Sequence, residues 1–187
     1  EPLWVLPQDR DADIAFPGFA VDRTDNATFA RYFENDPRVD SERDWVKIEM
    51  VDVRGPEGAH FGTYSTIDRQ AVVSVGVWMT TSDGIAPDDA FWQREGGHSH
   101  ANFFFTKPGV YEVDLKASGF IDVNDNRVFD PGLDVFSESD VATFYFAVDT
   151  PNAAPTIIAP TSIEGNPGTS IRMVGCLLYT SDAADDR

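Results

Sequence analysis

The chain has 187 residues, 14 of them Lys or Arg and 32 Asp or Glu, which sets a formal net charge of −18 and a pI near 4.2. A field of that sign repels nucleic acid and anionic membrane surfaces and draws in cations, so divalent ions suit it better as partners than phosphates do. With 42% hydrophobic residues, 14 Phe and 4 Trp, the composition is that of a folded domain rather than a disordered tract, and no apolar run approaches the roughly eighteen residues that a membrane span needs.

The one cysteine, Cys176, lies in a terminal stretch, residues 176–187, that resembles the translation of a sequencing adapter and is set apart from the fold. Without it the chain carries no disulfide framework, no thiolate metal site and no cysteine nucleophile.

Taken in chain order, the pattern is almost wholly β. Residues 26–35 are the best candidate for a helical turn or two. Val46, Ile48 and Met50 alternate with Lys47 and Glu49, the period of a half-buried strand. Residues 60–66 offer a second, short strand. Residues 71–79 are rich in β-branched side chains and apolar on both faces, as in a central strand of a sandwich. Residues 87–91 are a further short helical candidate. Tyr111, Val113, Leu115 and Ala117 alternate with Glu112, Asp114, Lys116 and Ser118, which predicts a strand with one wet face. Residues 141–148 place Phe144, Phe146 and Val148 on one face. Arg54-Gly55-Pro56, Asp83-Gly84, Lys107-Pro108-Gly109 and Asp130-Pro131-Gly132 supply the turns. Short strands punctuated in this way predict an all-β, antiparallel β-sandwich, Ig-like or jelly-roll-like, with little helix. Its core should include Phe103, Phe105, Tyr111, Val113 and Leu115.

After Val148 the texture changes. Residues 149–155 read as a Pro-rich linker. Residues 156–175 resemble the opening of an Ig-like or cadherin-like repeat, cut short by the adapter-like tail.

The chemistry concentrates in Gly96-Gly97-His98-Ser99-His100-Ala101-Asn102, followed by Phe103-Phe104-Phe105 and the Lys107-Pro108-Gly109 turn. If this stretch is extended, His98, His100 and Asn102 share one face and the small residues between them take the other. Two imidazoles at i and i+2 are candidate ligands for zinc or another divalent metal, which wants three or four donors. His60 is the first choice for the third and a carboxylate the second. The alternative is that the rings bond loop carbonyls and fix the entry of the strand. A metal-dependent cupin would need a Glu shortly after the pair, where this chain has three Phe. Ser99 faces away from both histidines, and no Gly-x-Ser-x-Gly elbow is present for a hydrolase.

Asp122, Asn124, Asn126 and Asp130 are spaced like the front of a calcium loop, with Arg127 where the sharp turn wants Gly and Leu133 where a bidentate Glu belongs. An Asn/Asp-rich turn held by side-chain to backbone hydrogen bonds explains the same residues. Trp4, Tyr64, Trp78 and Trp92 are candidates for a glycan-stacking platform, with core packing as the alternative.

These segments together resemble the choice-of-anchor M domain, the repeat of actinobacterial surface-anchored proteins. The resemblance rests on Leu3-Trp4-Val5-Leu6-Pro7-Gln8, on Gly55-Pro56 to Tyr64, on Asp83-Gly84-Ile85, and above all on the run from Gly96 to Tyr111. It spans residues 4–148 in order. It implies a domain over residues 1–148, truncated at its N-terminus, where the family carries a further strand with its own histidines. It also implies a non-enzymatic module of an exported bacterial protein, extracellular or anchored at the cell surface, whose partners are the cell envelope or neighbouring domains. A carbohydrate-binding accessory domain of an exoenzyme or adhesin is the second expectation.

Overall fold

A computed structural model describes residues 3–11, 15–22, 28–39, 43–69 and 72–149. Of the expected linker only Asp149 is among them, and residues 156–175 and 176–187 lie outside. The described residues form eleven strands: β1 (Trp4–Leu6), β2 (Gly18–Val21), β3 (Trp45–Arg54), β4 (Phe61–Arg69), β5 (Val72–Thr80), β6 (Ala90–Arg94), β7 (Gly97–His100), β8 (Asn102–Phe105), β9 (Gly109–Ile121), β10 (Val135–Glu138) and β11 (Ala142–Val148). Every strand-to-strand ladder is antiparallel. The described residues contain no helix, so none crosses a membrane as one.

One sheet has the order β1-β8-β4-β5. The other runs β10-β9-β3-β6, with β11 also paired to β9, and a separate ribbon joins β2 to β7. The thirteen residues of β9 outrun any one partner. Its first half pairs with β11 and its last four residues with β10, so these two strands follow each other along one edge. The alternation of β9 turns Tyr111, Val113, Leu115 and Ala117 inward, as the sequence predicts.

The two sheets meet through rings. Phe146 of β11 lies 5.9 Å from Phe61, 5.8 Å from Phe103 and 5.4 Å from Phe105, all on the opposite sheet, and Phe105 lies 4.9 Å from Tyr111. Phe19 of the ribbon stacks on Phe91 at 4.6 Å and reaches Phe103 at 5.6 Å, which closes one end of the core. This is an aromatic sandwich core with all five predicted core residues buried in it.

Neither expected helix forms. In the described part of 26–35, Phe29 bridges Ile121 and the Ala30 N–H donates to the Phe120 carbonyl at 2.8 Å. β3 ends its pairing at Ser118, so the end of β9 needs a backbone partner, and an extended segment supplies it where a helix would not. Residues 87–91 become a turn leading into β6, with Phe91 and Trp92 buried on opposite faces.

Candidate functional site

The histidine pair stands on β7, and its geometry follows from the ribbon. Gly18 pairs with His100 and Ala20 with His98. A Cβ on Gly18 would come within 2.8 Å of His100 Nδ1, so the missing side chain is what lets the imidazole lie against the strand. The His100 ring stacks on Phe16 at 3.7 Å, nearly parallel, and its Nδ1 lies 3.0 Å from the Pro17 carbonyl oxygen. A carbonyl only accepts, so Nδ1 is the donor, and in the neutral tautomer that makes this bond the lone pair is on Nε2. Metal-binding histidines are oriented by the same kind of second bond.

His98 is exposed, and its ring sits 5.8 Å from that of His100 with the planes almost perpendicular. Two imidazoles on one tetrahedral zinc, with zinc–nitrogen bonds near 2 Å, place their centroids about 5 Å apart. The pair is therefore close to bridging distance.

The other expected donors are elsewhere. Strand β7 ends at His100, and Asn102 begins β8 in the other sheet, where it is buried. Its Oδ1 accepts from the Gln8 N–H at 2.8 Å, and its Nδ2 donates to the Tyr64 carbonyl at 3.3 Å. His60 bonds the Thr81 carbonyl through Nδ1 at 3.2 Å, while its own carbonyl accepts from the Thr106 N–H. Thr106 lies four residues beyond Asn102, about 13 Å along the strand, so His60 is at the opposite end of β8 from the pair. Among the described residues no group of three or more His, Cys, Asp or Glu side chains is placed to hold a metal.

The loop between β9 and β10 folds on itself. Asp122 accepts from the Asn126 N–H at 3.2 Å and from the Arg127 N–H. Asp130 Oδ2 accepts from Asn124 Nδ2 at 2.9 Å and Asn126 Nδ2 at 2.7 Å. Arg127 takes the left-handed conformation, φ 62°, that Gly would supply in a calcium loop. Leu133 is exposed, and it is Asp134, one residue later and 9% exposed, that accepts from the N–H groups of Val123 at 3.2 Å and Asp130 at 2.7 Å. The calcium-like spacing did not include Asp134, whose role depends on a reversal of the chain that spacing does not show. The oxygens expected to face calcium are turned onto amide donors, the arrangement of an Asx-rich turn.

The expected aromatic platform does not assemble on one surface. Trp92 is 4% exposed, and Trp4 and Trp78 pack against the core. Trp78 donates through Nε1 to Ser65 Oγ at 2.8 Å, and Tyr64 leans on Phe104.

No family model matches the chain, and no curated protein or solved structure matches it either.

Proposed function

We propose that this chain is a non-enzymatic β-sandwich module of a secreted or surface-anchored bacterial protein, and that its β7 edge takes up zinc or a similar divalent metal through His98 and His100. The observation that carries the metal reading is the His100 ring. It is clamped by Phe16 and, through Nδ1, by the Pro17 carbonyl, which leaves Nε2 as the nitrogen free to ligate in the neutral ring, 5.8 Å centroid to centroid from a solvent-exposed His98. Two protein donors leave the remaining positions on a tetrahedral ion to water or to a group brought by a partner, so uptake is weak and exchangeable. The net charge of −18 raises the cation concentration around the chain as a whole. The placement outside the cell rests on the resemblance of the Gly96 to Tyr111 run to the choice-of-anchor M repeat, with the cell envelope or neighbouring domains as partners.

Calorimetric titration with zinc chloride tests the site. One ion should bind per chain at about pH 7.5, and affinity should fall more than tenfold by about pH 5.5, because a protonated ring cannot ligate. The His98→Ala/His100→Ala variant should lose uptake while still melting in one cooperative transition. Binding that persists in that variant, or none in the native chain at a few hundred micromolar zinc, removes the proposal.

A further inference from the structure

A groove of about 530 Å³ opens between Glu34, Arg38 and Lys47 of β3 on one side and Val77 of β5, Pro87 and Asp88 on the other. Its volume lies in the range of small-ligand sites. The cations in it are engaged. The Arg38 guanidinium donates to both oxygens of Asp36 and to the carbonyls of Val77, Trp78 and Asp88 at 2.6–3.2 Å. Lys47, 6% exposed at the floor, lies 2.7 Å from Glu34 Oε2 and 3.2 Å from Glu49 Oε1.

The anions are not all engaged. Glu34 uses one oxygen on Lys47 and is otherwise open to solvent, and the exposed Asp88 carboxylate has no side-chain or backbone partner among the described residues. Three carboxylates, Glu34, Asp36 and Asp88, thus line the groove with two cations, Arg38 and Lys47, and the surplus negative charge lies on the exposed Glu34 and Asp88. The walls between the open carboxylates are Val77, Pro37 and Pro87, which are apolar. Glu34 and Asn35 are held in consecutive left-handed conformations, φ 52° and 57°, which set the Glu34 side chain over the groove.

We infer that this groove binds an alkylammonium group, its charge set between Glu34 and Asp88 and its methylene chain along Val77, Pro37 and Pro87. The same chemistry is offered by a free diamine or polyamine and by the lysine side chain of a polypeptide partner. A carboxylate or phosphate ligand would meet the surplus negative charge, and a neutral alcohol would leave Asp88 unpaired. This site is separate from the β7 histidines and stands whether or not they take metal.

The test is a titration, followed by NMR, with 1,5-diaminopentane and with acetyl-lysine methylamide, using 1-pentanol as the uncharged control. The native chain should bind at least one amine and not the alcohol. Asp88→Asn should weaken binding about tenfold, and Glu34→Gln/Asp88→Asn should weaken it further. Asp125→Asn/Asp140→Asn, which removes as much charge from two loops that do not line the groove, should leave affinity within about twofold. Val77→Lys, at an exposed position, should block the groove with a competing ammonium while the fold is kept. Stronger binding of the diamine points to a free polyamine, and stronger binding of the lysine derivative to a protein partner; both support the inference. Equal loss in the groove and loop variants would reduce the effect to bulk charge, and absence of amine binding would overturn the inference.

Discussion

Asp36 ties its own segment to β6 from one carboxylate. It accepts from the Arg38 backbone N–H at 2.9 Å, from the Arg38 guanidinium at 2.6–3.1 Å and from Trp92 Nε1 at 3.0 Å. Burial on its own would raise its carboxyl, but these donors and the Arg38 charge outweigh burial and hold it at about 2. That lies below the value of an unfolded chain, so the ionised form contributes stability that is complete above about pH 4 and is lost as pH falls toward 2. Asp36→Asn should therefore melt below the native chain at about pH 6, and the gap should narrow by roughly half by about pH 3. A gap that stays constant over that range would show that the Asp36 charge is not what the contacts use. Little of this was readable in advance. Arg38 is two residues away, but Trp92 and the β5 carbonyls reach the pair only through the fold. The histidines show the same division. Strand alternation gave their shared face, whereas the Phe16 stack and the Pro17 carbonyl come from more than eighty residues upstream.

Long strands were legible because their alternation is long. In β3 the inward set Val46, Ile48 and Met50 gives way to Val53 after a register shift between Met50 and Asp52, which leaves Val51 exposed. An extra residue in one strand changes the phase of the side chains, and the adjacent apolar pair Met50-Val51 is its trace in the sequence. Strands of three or four residues, such as β1, β2, β7 and β10, are too short to show a period. The β9–β10 loop was found by composition, yet its anchor was not. Asp134 is the acceptor on which two backbone N–H groups depend, so Asp134→Ala should cost about 1–3 kcal/mol in urea unfolding. Asp140→Ala, exposed in the β10–β11 connection, should stay within about 0.5 kcal/mol. Equal effects at the two positions would mean that the loop is held by something other than the Asp134 staple. The free edge of β5 is met by the segment carrying Arg38, which bonds the Val77 and Trp78 carbonyls and obstructs edge-to-edge pairing with another chain there.

At the scale of the whole molecule, the sandwich class was legible and the way it closes was not. Composition and turn spacing predict two packed sheets, but they do not say that β10 and β11 share one edge of β9, or that Phe146 is the ring where both sheets meet. That pairing makes β11 the strand on which closure depends. Phe144, Phe146 and Val148 are buried beside Phe61, Phe103, Phe105 and Tyr111, and the contiguous core runs from Phe19 to Val148. A chain ending at residue 149 keeps every member of that core. It should unfold in one cooperative transition with a melting temperature within about 2 °C of the full chain. A chain ending at residue 141 loses β11, leaves one edge of β9 bare and opens the aromatic face of the opposite sheet to water. Removing one buried Phe side chain costs about 3–5 kcal/mol, and this cut removes two together with Val148, against a total stability of about 5–15 kcal/mol. The shorter chain should therefore show no cooperative melt by near-ultraviolet circular dichroism. If the 149-residue chain melts several degrees lower than the whole, closure of this core draws on residues beyond Asp149, and β11 is not its last structural strand.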